Sequence, residues 1–128
     1  MCVRQNRPVD IEREHERWTA SEREHGYIRA RLRLLTEAEG GRRTAMASGY
    51  RSNWAFPPEL HDDRHDAPLT LESRQGRWLD PGEETAVRLR PLVPDLWPPV
   101  APGLRLTMLE GARVVGVAEV IEVVSPVA

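Results

Sequence analysis

Between Tyr27 and Leu34 apolar and basic residues alternate: Ile28, Ala30, Leu32 and Leu34 take the even positions, and Arg29, Arg31 and Arg33 the odd ones. A period of two puts one set on each face of a pleated chain, so this segment predicts a half-buried antiparallel strand. The alternation returns over Thr85–Leu92, where Val87 and Leu89 oppose Arg88 and Arg90, and again over Arg113–Val124. Shorter strands are predicted at Asn53–Phe56, stopped by Pro57 and Pro58, at Leu69–Glu72, at Arg77–Leu79 and at Leu104–Leu109. Asp80-Pro81-Gly82 reads as a turn, because Pro fixes φ and Gly accepts a positive one. Glu110-Gly111-Ala112 reads as a tight hairpin between the last two strands. Residues 36–49 read as a polar, Gly-containing loop, and Pro91, Pro94, Pro98, Pro99 and Pro102 mark a long irregular crossing. Continuing the alternation through each strand places Leu32, Leu34, Val87, Leu89, Val115, Val117 and Ile121 in the core.

Residues 1–26 carry a different pattern and are expected to form a helical extension to a domain spanning 27–128. Asp10 is a candidate cap for a helix running to about His25, with Gly26 as its stop. Within it Arg13 and Glu16, and Glu14 and Arg17, are spaced for weak pairing, while Ile11 and Trp18 give only a thin apolar stripe. Many short strands with Gly and Pro between them predict an all-β sandwich or barrel. Closure removes sheet edges, so the expected fold is a closed antiparallel β-barrel of six or seven strands with a short N-terminal helix.

Length and composition narrow the picture. The chain has 128 residues, of which 40% are hydrophobic and 30% charged, as expected of one domain with one core. No apolar run approaches the length of a membrane span, and the N-terminus lacks the apolar centre of a signal peptide. The single cysteine, Cys2, cannot form an internal disulfide, which makes the cytoplasm the expected compartment. The net charge of −2 gives no global attraction to nucleic acid. There is no lysine, so all 18 basic residues are arginine. That bias has two readings, a coding preference or a use for bidentate phosphate and carboxylate contacts.

Three groupings have the composition of a site. The loop from Gly40 to Asn53 holds Arg42, Arg43 and Arg51 and no acidic residue. Its backbone amides and guanidinium groups suit a phosphate backbone, the other reading being a solvated loop whose glycines serve turn geometry. Glu59, Asp62, Asp63 and Asp66 follow at once and oppose such binding. His61 and His65 are spaced for a helical zinc site, but Pro57, Pro58 and Pro68 around them favour a solvated loop, so no metal is expected. His15 and His25 read as surface groups and Cys2 as an unactivated thiol. Trp18, Trp54, Trp78 and Trp97 read as packing groups unless one lies exposed at an interface. No Ser, His and Asp arrangement appears, and a phosphate loop is impossible without its lysine. The expectation is a non-enzyme with no cofactor and no bound nucleotide.

Two blocks 54 residues apart carry a family resemblance. The first is Glu39-Gly40-Gly41-Arg42-Arg43-Thr44 with Gly49-Tyr50-Arg51, and the second is Gly103-Leu104-Arg105-Leu106 with Glu110-Gly111-Ala112-Arg113-Val114-Val115-Gly116. In order and separation they resemble the C-terminal β-barrel domain of translation elongation factor Tu, whose matching stretches read approximately EGGRHT…GYRPQF and GLRFAIREGGRTVGAG. The resemblance covers about residues 25–124. It departs at Arg51-Ser52-Asn53-Trp54, at Phe56–Asp62 and at Ala112, and the segment around Pro91–Pro102 is longer by about three residues. It implies a closed antiparallel barrel, here without the GTPase domain. It further implies that Arg42, Arg43 and Asn53, with Gly111 in the final hairpin, occupy positions where the family contacts tRNA; Arg51 adds a neighbouring cation. The function implied is a translation-associated binding module contacting aminoacyl-tRNA or a translation factor. The alternative is a protein-interaction module or decoy that mimics the factor's barrel and binds a protein partner.

Overall fold

A computed structural model describes residues 19–57, 64–72 and 78–127. Its strands are β1 (Tyr27–Leu34), β2 (Met46–Ala47), β3 (Arg51–Ala55), β4 (Arg64–Leu71), β5 (Trp78–Leu79), β6 (Glu84–Leu89), β7 (Arg105–Glu110) and β8 (Arg113–Val124). Six of them close an antiparallel barrel in the order β1-β6-β4-β3-β7-β8, while β2 and β5 form a separate two-stranded sheet. The barrel is therefore six-stranded and all-β, as the alternation predicts.

The even residues of β1 point inward. Ile28, Ala30, Leu32 and Leu34 are buried, and Ile28 and Ala30 stand opposite Leu89 and Val87 of β6. Trp54, Leu69, Leu106, Met108 and Val115 fill the rest of the interior. The Trp54 indole N–H donates to Ser52 Oγ at 2.6 Å, and the Ser52 hydroxyl donates to the Ala67 carbonyl, so the polar atoms of this apolar centre are hydrogen-bonded.

Two of the expected core residues lie outside. Val117 and Ile121 are each 39% exposed, whereas Ala118 and Val120 are buried. The first of two bulges in β8 puts Val117 and Ile121 outside, and the second turns the pleat back, so that Val123 pairs with the buried Ile28. Met108 and Leu109 of β7 face Gly116 and Val114, which leaves Val115 as an extra residue. Arg29 and Ala30 of β1 face Glu122 and Val120, which leaves Ile121 as another. Each extra residue shifts the pleat by one, and an alternation continued through it assigns the wrong face.

β4 begins five residues earlier than the Leu69–Glu72 expected, and so takes in part of the segment read as a loop. Its outward residues Arg64, Asp66 and Pro68 disguise a period-two pattern whose other face carries Ala67 and Leu69. Pro68 is tolerated where β4 leaves β3 for β6, and its carbonyl accepts from Arg90 N at 3.0 Å. Residues 36–49 also contain more order than expected: a 3-10 turn at Glu37–Glu39 and the strand β2, paired with β5. The N-terminal helix, α1, is described over residues 19–25 and stops at Gly26, whose φ is +76°. The candidate cap Asp10 lies outside the described residues, as do Cys2, Ile11, His15 and Trp18.

Candidate functional site

The loop that carries the candidate cations leaves β1 through a tightly bonded turn. Thr36 caps the 3-10 turn reciprocally with Glu39: Glu39 N donates to Thr36 Oγ1 at 3.2 Å and Thr36 N to Glu39 Oε1 at 3.0 Å. Arg33 adds a bidentate contact to Glu39 at 2.9 and 3.0 Å. The Arg33 hydrogen bond, followed by the Thr36 amide, holds the Glu39 carboxyl down at about 2.

Arg42 is fixed by the barrel end. Its guanidinium donates to Glu110 at the end of β7 and to the carbonyls of Thr44 and Ala45, and it lies 5.4 Å from the centre of the Tyr50 ring. The Tyr50 hydroxyl donates to the same Glu110 oxygen at 2.6 Å. Burial, then this bond to a carboxylate, pushes the Tyr50 hydroxyl up to about 12. Arg42, Tyr50 and Glu110 thus staple the loop to the barrel, and with an Arg42 side chain only 18% exposed this guanidinium presents little of itself to a ligand.

The other candidates are closer to solvent and also partnered. Arg43 is ion-paired with Glu37 at 3.1 Å, its side chain 82% exposed. Arg51 and Asn53 share the outer face of β3 and converge on Asp66 of β4, at 3.0 and 2.7 Å. The Asn53 amide first, then Arg51, hold the Asp66 carboxyl below its ordinary range. Gly111 takes the first turn position of the β7–β8 hairpin with φ +61°, where a two-residue hairpin turn favours glycine. Its carbonyl accepts from Arg64, which starts β4.

Arg51, Asn53 and Gly111 therefore gather around β3 and the β7–β8 hairpin, with Arg42 tied to the same hairpin through Glu110. Sequence reading misses the residues that neutralise them. Glu110 and Tyr50 lie inside the two blocks but without any sign of their contact with Arg42, Arg64 lies in the segment read as a loop, and Asp66 reads as repelling phosphate, not as the partner of Arg51 and Asn53. The Arg42–Glu110 pair spans 68 residues, a separation no local pattern reveals. His61, Glu59, Asp62 and Asp63 lie outside the described residues. His65 packs by its ring against Phe56 and Trp97, with centroids 5.7 and 5.6 Å away.

A second polar cluster joins α1 to the barrel. Glu22 of α1 accepts from Arg88 at 2.9 Å and from Arg90 at 3.5 Å. Arg90, almost fully buried, also donates to Thr70, and burial pushes its pKa down. Glu72 receives Arg29 at 2.8 Å and Arg88 at 3.4 Å, and the Arg29 bond lowers its pKa. Thr19, Ser48 and Thr70 with Glu22, Glu72 and Arg88 line a cavity of about 340 Å³. Sequence reading places Arg29, Arg88 and Arg90 on the polar faces of their strands but gives no hint of the carboxylates that meet them.

Among the described residues, no group of three or more His, Cys, Asp and Glu is placed to hold a metal ion, and no helix is long and apolar enough to cross a membrane. A scan of the sequence against known protein-family models finds no match.

Proposed function

We propose that this chain is a non-enzymatic, translation-associated binding module, similar in role to the C-terminal barrel of elongation factor Tu, and that its partner is a protein. The fold is compatible with that resemblance. The observation that carries the choice of partner is the neutralisation of the three candidate cations: Arg42 by Glu110, Arg43 by Glu37 and Arg51 by Asp66. A phosphate backbone binds by replacing counterions on free guanidinium groups. Here it has to displace carboxylates already in place, at two of the three sites about 3 Å from the guanidinium. A protein surface can instead accept such Arg–carboxylate pairs intact as a polar rim.

The second reading, contact with tRNA, keeps one observation in its favour. Arg43 is the most exposed of the three cations, and surface pairs of this kind hold weakly. The test is capture of partners from lysate on the full chain, with and without nuclease. Nuclease-resistant capture of a translation factor or ribosomal protein, weakened by Arg51→Glu, supports the protein reading. Capture of tRNA that nuclease abolishes, with no protein left, overturns it. Titration with GTP and Mg²⁺ is expected to show no specific heat, since the chain has no lysine to complete a phosphate loop.

A further inference from the structure

The barrel wall opposite β3 and β4 is formed by β1 and β8, because these adjacent strands sit half-way round the ring from the β4–β3 pair. This wall combines exposed aliphatic residues with ordered rows of charge. Val117 and Ile121 on β8 are each 39% exposed. A row of arginines, Arg29, Arg31 and Arg33, runs beside them along β1, and Glu119 and Glu122 are spaced along β8. In the ladder Arg29 stands opposite Glu122, Arg31 opposite Glu119 and Arg33 opposite Val117.

Arg31 and Glu119 are neighbours across the ladder, yet each turns away from the other. Arg31 reaches Glu84 on β6 at 2.8 Å, and Glu119 faces Arg105 on β7 at 3.8 Å. The two pairs flank a groove of about 450 Å³ floored by Val117 and edged by Arg33 and Thr107. All strands of this wall are paired on both sides, so an occupant has to lie face to face on it.

The geometry points to a second copy of this chain as that occupant. A two-fold axis running along the strands between β1 and β8 lays β1 of each copy over β8 of the other at the same height. The ladder register then sets Arg31 against Glu119 of the second copy, twice, while Arg29 keeps Glu72 and Glu122 of its own chain at 2.8 and 3.6 Å. Arg33 falls over Val117, where its aliphatic stem covers the valine while the guanidinium stays bound to Glu39 of its own chain. A row of one sign beside a row of the other is what a self-matching interface requires, since each patch must complement itself under the rotation. Val117 and Ile121 supply the apolar part, and the charges set the register. The β3–β4 wall stays free on the far side of each copy, so dimerisation is independent of the binding role proposed above.

Sedimentation equilibrium on the full chain, from roughly 5 to 500 µM at about 150 mM salt, tests this. The expected result is a monomer–dimer equilibrium that Arg31→Glu and Glu119→Arg each weaken roughly tenfold or more, because each variant sets like charges together twice. In a mixed dimer of the two variants, position 31 of either copy again meets the opposite charge at position 119 of the other. The equimolar mixture is therefore expected to recover the association that neither variant has alone. Val117→Arg, which meets Arg33 of the second copy, is expected to weaken the dimer as an independent variant. A chain that stays monomeric over the whole range, whatever else covers the wall, overturns the proposal. A dimer indifferent to these substitutions, or a mixture that stays monomeric while both variants keep their circular dichroism, overturns it equally.

Discussion

Leu32 and Ile121 separate the inside of the barrel from the outside. Leu32 is fully buried, and Leu32→Ala is expected to cost about 2–5 kcal/mol in urea unfolding, the range for a truncated core leucine. Ile121→Ala, on the outward bulge of β8, is expected to cost less than about 1 kcal/mol. Equal costs would mean that the pleat does not change phase at the bulge. Leu32, Leu34, Val87, Leu89 and Val115 were legible as core because period-two alternation holds from the strand starts to those points. Val117 and Ile121 were not, because a bulge is a pairing between distant strands and leaves no mark in the local pattern. A second residue-scale prediction concerns acid. Arg33 and the Thr36 amide favour the charged form of Glu39, lowering its carboxyl from the usual 4.5 to about 2. Below 4.5 the unfolded chain binds a proton that the folded chain still refuses. The stabilisation from Glu39 is therefore complete above about pH 4.5 and is lost as pH falls toward 2. Glu39→Gln is expected to make thermal unfolding less steeply dependent on pH in that window. An unchanged slope would show that the Arg33–Glu39 contact is not kept in solution.

Elements meet at a few defined joints, and two of these test the structure beyond the barrel. Gly26 links α1 to β1 with φ +76°, and a Cβ there would lie 2.2 Å from the Val124 carbonyl oxygen. Gly26→Ala therefore combines an unfavourable backbone with a collision against main chain and is expected to cost more than about 1 kcal/mol. A neutral substitution would mean that the end of β8 does not pack against this joint. The α1 joint rests on Glu22, which receives Arg88 and the buried Arg90. Glu22→Ala removes the carboxylate facing Arg90 while Thr70 still accepts from it, for an expected loss of about 1–3 kcal/mol. Faster amide exchange over residues 19–25, with the barrel core unchanged, is the accompanying signature, and uniform destabilisation without it would contradict the joint. Gly26 was legible as the helix stop from its residue type alone. β2 and the first half of β4 were not, because Met46–Ala47 is too short to show a period and Arg64, Asp66 and Pro68 display only the outward face of β4.

At the scale of the whole molecule the six-stranded barrel separates two walls with different charge patterns. The β3–β4 wall has Arg51 and Asn53 bound to Asp66, and Arg42 is tied at the barrel end beyond it. The β1–β8 wall has its charges in rows beside exposed aliphatic residues. The resemblance carried by Glu39–Thr44 and Glu110–Gly116 led to the candidate positions, and these blocks were readable because they are contiguous. The state of the charges was not readable, because each neutralising pair depends on which loop and strand the fold brings together. Whether the paired arginines favour a protein over RNA is decided by the salt dependence of tRNA binding for the full chain and for Arg42→Ala/Arg43→Ala. The full chain is expected to bind tRNA more weakly than about 10 µM at about 150 mM salt, with a low-salt log–log slope that the double substitution changes by less than about 1. Binding tighter than about 1 µM, with a slope near −2 to −3 that the double substitution flattens by roughly 1–2, would contradict it, since it would show those guanidinium groups giving up their carboxylates for phosphate.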